Sequence, residues 1–271
     1  MKTAEDKLKK LEKILQEMQG LVVAFSGGVD STFLLKKAHD ILGENVIAVT
    51  ALSPTFPEAE LKSAKELARS MGVRHLLIRS NELSMPEFVH NPPNRCYYCK
   101  KDLFTRLLEI AAKKNIPWVA DGSNSDDTKD FRPGTRAARE LGIRRPLMEA
   151  RLGKEEIRTL SRKMGLPTAG KPAAACLSSR LPYGETITAG KLQQIGRAED
   201  FLRRLGFNQV RVRHHNGIAR IEVLPAEMDR FMDRGMQTKV TRKLRSLGYQ
   251  YVTLDLLGYR TGSMNEVIKK S

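Results

Sequence analysis

The stretch Ser26-Gly-Gly-Val-Asp-Ser31 joins residue types whose combined chemistry is anion binding. Gly27 and Gly28 let a backbone turn tightly and approach a ligand, and a helix starting beyond them offers unpaired N–H groups at its positive dipole end. Ser26, Ser31 and Thr32 add hydroxyls, and the set suits a polyphosphate. Asp30 would repel a bare phosphate, so its place in the loop implies a magnesium ion (Mg2+) held between carboxylate and phosphate oxygens. The second reactive set is sulfur. Cys96 and Cys99 are spaced one helical turn apart, so that both thiols can face one ion or cluster, and Lys100 and Lys101 would help to hold thiolates. Cys176 stands among small residues that clear access to a thiol, near Arg180, whose charge favours a thiolate.

These residues need elements to hold them. Leu21 to Phe25 is a short continuous apolar run, the mark of a strand covered on both faces, and Ser31 to Leu42 carries apolar residues at helical spacing. Strand, glycine turn and helix follow in that order. Asn45–Leu52 reads as a strand, 57–71 as a helix, 73–79 as a strand, 96–114 as a helix, and Trp118–Ala120 as a strand leading into Asp121-Gly122-Ser-Asn124. The alternation predicts an α/β fold with a doubly wound parallel sheet and a smaller α+β C-terminal domain, divided as 1–178 and 179–271. Ligands of such sheets bind beyond the carboxyl ends of strands, where Ser26, Ser53 and Gly122 fall. Polar residues 125–134, with Asp126, Asp127, Asp130 and Arg132, read as a loop over the nucleotide. In the C-terminal part, helices are expected over 189–205 and 226–247, strands over 210–214, 218–223 and 251–256, and a hairpin turn at Asn216-Gly217.

Composition narrows the function class. The chain has 271 residues and a net charge of +16, yet much of its excess Lys and Arg lies at helical spacing, where a solvated face is the commoner arrangement. The excess suits anionic small molecules, and nucleic acid is not the expected partner. Three cysteines with no secretion signal argue against a disulfide framework, and the five histidines do not complete a zinc site. No apolar run reaches the length of a membrane span, so the expectation is a cytoplasmic protein with no membrane partner. Leu8, Leu11, Ile14, Leu15 and Met18 share one face of an amphipathic N-terminal helix. Gly165 to Lys171 imitates a Walker A loop, but Pro172 stands where a Ser or Thr should hold magnesium and no strand precedes it.

SGGVDS resembles the loop of the ATP pyrophosphatases, which include GMP synthetase, NAD synthetase and tRNA thiouridine synthases. The further landmarks GSNSDD (122–127), FRPG (131–134), SSRLPYG (178–184), VRVRHHNGIARIEV (210–223) and YVTLDLLGYRTG (251–262) narrow the resemblance, over nearly the whole chain, to the LarE type of ATP-dependent sulfur transferase. The resemblance implies ATP as cosubstrate, held by Ser26, Gly27, Gly28, Asp30, Ser31, Ser53 and Gly122. It implies adenylation of the carboxylates of pyridinium-3,5-biscarboxylic acid mononucleotide and their conversion to thiocarboxylates, in biosynthesis of the nickel-pincer nucleotide. Arg211 and Arg213 would take the substrate phosphate, with help from Ser179, Arg180 and Arg260. A homo-oligomer and an unidentified sulfur donor are also implied.

Within that family the chain departs from the single-cysteine pattern, in which the loop cysteine gives up its own sulfur. Cys96, Cys99 and Cys176 suit a 4Fe-4S cluster with one iron lacking a protein ligand, and Cys176 would be the catalytic thiol. A tRNA thiolase of the same fold is the nearest rival, to be separated by tRNA binding with a steep salt dependence. A nucleotide-binding redox sensor is the alternative from another class, separated by its lack of acceptor-dependent ATP consumption.

Overall fold

The computed structural model describes residues 3–129, 133–172, 175–260 and 262–263. In chain order the elements are α1 (Ala4–Met18), β1 (Leu21–Ala24), α2 (Val29–Leu42), β2 (Val46–Leu52), α3 (Glu58–Ser70), β3 (Arg74–Arg79), α4 (Pro86–Val89), α5 (Arg95–Lys113), β4 (Trp118–Ala120), α6 (Gly134–Glu140), α7 (Pro146–Glu149), α8 (Lys154–Lys163), α9 (Ala189–Arg204), β5 (Arg211–His215), β6 (Ile218–Glu222), α10 (Arg234–Ser246) and β7 (Tyr251–Leu254). Asp130 and Arg132 of the expected nucleotide loop, and Phe131 of FRPG, lie outside the described residues.

Packing divides the chain into two compact units. The first comprises Met1–Ser53, Glu58–Glu82 and Asn94–Ala174, and the second Pro54–Pro57, Leu83–Pro93 and Ala175–Ser271. Cys176 therefore packs with the second unit.

The first unit is built on a four-stranded sheet ordered β3-β2-β1-β4, every pair parallel, with Leu21 opposite Val46 on one side and Trp118 on the other. One face is covered by Phe33, Leu34 and Leu35 of α2 together with Leu11, Leu15 and Met18 of α1, the other by Phe104 and Leu107 of α5. Cover on both faces is why β1 and β2 are apolar without alternation. Helix α1 starts at a capping box, with Thr3 accepting from the Asp6 amide and Asp6 accepting from that of Thr3, and buries the stripe read from the sequence. After β3 the chain crosses back to lay β4 on the far side of β1. The carboxyl ends of β1 and β4 thus flank the topological switch point, where open α/β sheets bind ligands.

The second unit has a three-stranded sheet, with β5 and β6 antiparallel and β6 and β7 parallel. Asn216 (φ 45°) and Gly217 (φ 86°) turn the β5–β6 hairpin in the left-handed region that this pair tolerates. Leu202, Phe207, Val212, Ile221 and Leu244 fill its core. The expected single helix over 226–247 is instead a 3-10 segment, Pro225–Met232, followed by α10. The break falls at Asp233, which is extended (ψ 125°) and accepts a hydrogen bond from the Met236 amide at 2.7 Å, capping a new helix. Strand β7 ends at Leu254, short of the expected Leu256. No described helix is long and apolar enough to cross a membrane.

Candidate functional site

In the first unit, the loop after β1 folds back onto the start of α2. Ser26 and Ser31 hydroxyls lie 3.0 Å apart, Ser31 Oγ donates to the Gly28 carbonyl at 3.2 Å, and the Thr32 amide donates to the same oxygen at 2.9 Å. Gly27 has φ 65°, and a Cβ there would stand 3.0 Å from that of Ala64, so both conformation and space require glycine. Gly122, beyond β4, lies against the N-terminus of α2: a Cβ on it would come within 2.9 Å of the Ser31 nitrogen. The structure brings Ser26, Gly27, Gly28, Asp30, Ser31 and Gly122 together around one helix start. Ser53 follows the neighbouring strand β2, and its hydroxyl donates to buried Glu82.

Two lysines missed from the sequence complete this site. Lys154, at the start of α8, donates to Asp30 Oδ2, while Asp30 Oδ1 is buried with no hydrogen-bond partner. Lys171 Nζ donates to the Gly27 carbonyl at 3.0 Å and pairs with Glu60 at 2.6 Å. Lys171 is the lysine of the false Walker motif. It braces the loop from behind through a carbonyl, which differs from reaching a phosphate through a glycine-rich turn. The orphaned carboxylate oxygen fits a magnesium ion, a hard cation that takes oxygen ligands and would complete its shell with phosphate and water.

Cys96 and Cys99 lie in the first turn of α5, Cys96 exposed and Cys99 partly so. Lys100 beside them reaches toward Asp121 at 3.8 Å. Among the described residues no three His, Cys, Asp or Glu side chains gather as a metal site. The donor chemistry nonetheless suits iron, since accessible thiols one turn apart can share a cluster.

In the second unit, Cys176 is a free, exposed cysteine that opens the 3-10 turn Leu177–Arg180. Its carbonyl accepts from the Ser179 amide (3.0 Å), Ser179 Oγ (2.8 Å) and Arg180 Nη1 (3.0 Å). Arg180 is 1% exposed and forms a two-pronged pair with Glu199, itself fully buried, at 2.7 and 2.9 Å. Burial alone would lower the Arg180 pKa, but the charge and hydrogen bonds of Glu199 reverse this and hold it raised. Burial alone would likewise raise Glu199, and Arg180 outweighs that, leaving its carboxyl below the ordinary range.

Arg213 on β5 is engaged in the same way. It pairs with fully buried Glu222 at 2.9 and 2.7 Å and donates to the Ser179 carbonyl at 2.9 Å. Arg211 differs. Burial, then repulsion from Arg180, lowers its pKa to about 10, and its guanidinium lies over the Tyr259 ring. Arg260 is 3.5 Å from Asp255. Of the residues expected at the substrate phosphate, Ser179, Arg180, Arg211 and Arg213 thus gather about one turn, but the guanidinium groups of Arg180 and Arg213 face inward onto carboxylates. Glu199, 19 residues from Arg180, carried no sequence signal of its pairing, whereas Glu222 lies nine residues from Arg213, on the other strand of the expected hairpin.

A family model described as NAD synthase matches residues 3–89, the segment holding β1, the loop and α2. An uncharacterized protein of Synechocystis sp. is 46% identical over 98% of this chain and 99% of its own length. The pyridinium-3,5-bisthiocarboxylic acid mononucleotide synthase of Lactiplantibacillus plantarum is 42% identical over 100% of this chain and 98% of its own. A tRNA-specific 2-thiouridylase of Leptospira biflexa is 26% identical over 58% of this chain and 52% of its own.

Proposed function

We propose that this chain, which belongs to the LarE-type family of ATP-dependent sulfur transferases, adenylates the carboxylates of pyridinium-3,5-biscarboxylic acid mononucleotide and converts them to thiocarboxylates. The observation that carries the reading is the end-to-end match to a bisthiocarboxylate mononucleotide synthase, in contrast to the half-length match to a tRNA enzyme.

The chemistry is two displacements. A substrate carboxylate oxygen attacks the α-phosphorus of ATP, and pyrophosphate leaves with the bridging oxygen's electron pair. A sulfur nucleophile then attacks the acyl carbon, and AMP departs with the oxygen it gained, so each round exchanges one oxygen for one sulfur. Two rounds are needed per substrate. The backbone of Ser26 to Gly28 and the N-terminus of α2 receive the polyphosphate, and Gly122 keeps the opposing loop close to that helix start. Asp30 would hold magnesium, whose chemistry there would be to neutralise phosphate charge. Ser53, just beyond β2, and Ser31, in the first turn of α2, add hydroxyls.

Arg211, on β5 with Arg213, which holds the Ser179 carbonyl, receives the substrate phosphate. Ser179 and Arg260 assist at the rim. Cys176 handles the sulfur as the catalytic thiol. Cys96, Cys99 and Cys176 would hold a 4Fe-4S cluster, and the chemistry it would supply is delivery of sulfide. The protein acts in the cytoplasm as a homo-oligomer and draws sulfur from a donor still to be identified.

The test is anaerobic incubation with ATP, magnesium and the biscarboxylate mononucleotide, following pyrophosphate and the mass of the nucleotide product. Substrate-dependent pyrophosphate release with replacement of oxygen by sulfur is expected. Pyrophosphate release that responds to tRNA and not to the mononucleotide would move the chain to the tRNA thiolases.

A further inference from the structure

We propose that Arg180, anchored by Glu199, is a positioning residue that aims the Cys176 thiol instead of binding the substrate phosphate. The proposal deepens the reading of Cys176 as the sulfur-handling residue and rests on it. Its basis is that one guanidinium nitrogen holds both peptide planes on either side of Cys176. Arg180 Nη1 donates to the Ala175 carbonyl at 2.8 Å and to the Cys176 carbonyl at 3.0 Å. The first plane limits φ of Cys176 and the second limits ψ, so together they fix where its Cβ points. The same nitrogen donates to Ser179 Oγ at 2.9 Å, and that hydroxyl donates onward to the Cys176 carbonyl.

The anchor is built for rigidity. Glu199 accepts from Arg180 Nε and Nη2, from Arg203 Nη2 at 2.7 Å, and from the backbone amide of Val212 at 3.0 Å. Val212 lies on β5 between Arg211 and Arg213. The carboxylate therefore ties the cysteine turn to the strand that carries the proposed phosphate residue, and fixes the Cα–Cβ direction of Cys176 relative to it. Arg213 adds a second tether through the Ser179 carbonyl. A guanidinium with each of its three nitrogens engaged, 1% exposed and facing a fully buried carboxylate, has no donor turned to solvent for a ligand. Pulling it away would leave Glu199 with an uncompensated share of buried charge. Reactive groups tolerate little misplacement, and a backbone clamp of this kind serves a cysteine that must hold its sulfur at one place beside the substrate.

Arg180→Lys keeps the charge but loses the fork, and Glu199→Gln keeps the shape but weakens the anchor. In both, amide hydrogen exchange across residues 175–181 is expected to speed by about tenfold or more as the turn loosens. Sulfur transfer per adenylated substrate is expected to fall by about a hundredfold. The substrate KM for pyrophosphate release should stay within about twofold of the native value, because this residue makes no ligand contact. A KM raised tens of times, with exchange unaltered, would make Arg180 a phosphate ligand and overturn the proposal. Native sulfur transfer in both variants, or failure of both to fold, would overturn it in favour of a purely structural pair. Sulfur transfer surviving in Cys176→Ser would instead remove the reading of Cys176, while the exchange result would still decide whether the clamp exists.

Discussion

Lys154 donates to one carboxylate oxygen of Asp30 and leaves the other, Oδ1, buried without a partner. The lysine neutralises the carboxylate in the ligand-free protein without covering both its oxygens. A buried acceptor left open costs roughly 1–3 kcal/mol, and a cation at Oδ1 would recover that.

Asp30→Ala is therefore expected to lower magnesium-dependent pyrophosphate release by about a hundredfold or more while the circular dichroism spectrum stays native. Pyrophosphate assays across a magnesium titration check this. Native release from the variant would remove Asp30 from the mechanism.

Arg211 and Arg213 sit two residues apart on β5 and should behave differently. Arg213 is bound to Glu222, so Arg213→Gln strands a buried carboxylate and is expected to destabilise by about 3–5 kcal/mol. Arg211→Gln removes a cation whose pKa is already lowered to about 10. Between that value and arginine's ordinary, higher one the unfolded chain binds more protons than the folded one, so at neutral pH the cost of the buried charge is fully present. The Gln variant is expected to raise the substrate KM about ten- to a hundredfold and to leave the ATP KM unchanged. A lower melting temperature with both KM values raised alike would indicate misfolding.

The parallel sheet, the phosphate loop and the hairpin at Asn216-Gly217 were legible because their signals are local. Continuous apolar runs mark strands covered on both faces, and glycines with positive φ mark turns. The break at Asp233 was less legible, since Ala226 to Leu247 keeps apolar residues at helical spacing and only one capping side chain decides where the helix restarts. Pairings between distant residues were not legible at all. Arg180 and Arg213 look from sequence like phosphate ligands; the hairpin at Asn216-Gly217 sets Glu222 on the strand beside Arg213, while only the fold brings Glu199 against Arg180. Lys171 carried a misleading signal. Its motif imitated a nucleotide loop, and the fold brings its amine to a different loop's carbonyl.

The Arg180–Glu199 pair also sets an acid limit. Burial raises the Glu199 carboxyl and the surrounding arginines more than reverse it, so its folded pKa lies below the ordinary 4.5. A depressed carboxylate contributes stability that is fully present above 4.5 and is lost as pH falls through the folded value. Native melting temperature should thus drop as pH falls below about 4.5, the ordinary carboxylate value. Glu199→Gln should melt lower at pH 7 and show a shallower decline in acid. Parallel melting curves for the two proteins below that pH would show that Glu199 does not set the limit.

Cys96, Cys99 and Cys176 are the chain's three cysteines, two on the first turn of α5 and one opening the turn that Arg180 holds. If they share one cluster, protein purified without oxygen should contain iron and acid-labile sulfide and absorb in the visible range. Each Cys→Ala variant should lose that absorbance and sulfur transfer together, because a cluster on three thiolates loses its hold when one is removed. Adenylation should survive in all three, since it needs the Asp30 loop and a substrate carboxylate and no thiol. Intact-mass measurement after turnover separates this from the route in which Cys176 surrenders its own sulfur. A shared cluster leaves the chain mass unchanged. Loss of one hydrogen sulfide at Cys176, with no iron present and Cys96→Ala fully active, would instead assign the transferred sulfur to the thiol itself, which leaves as the donated atom.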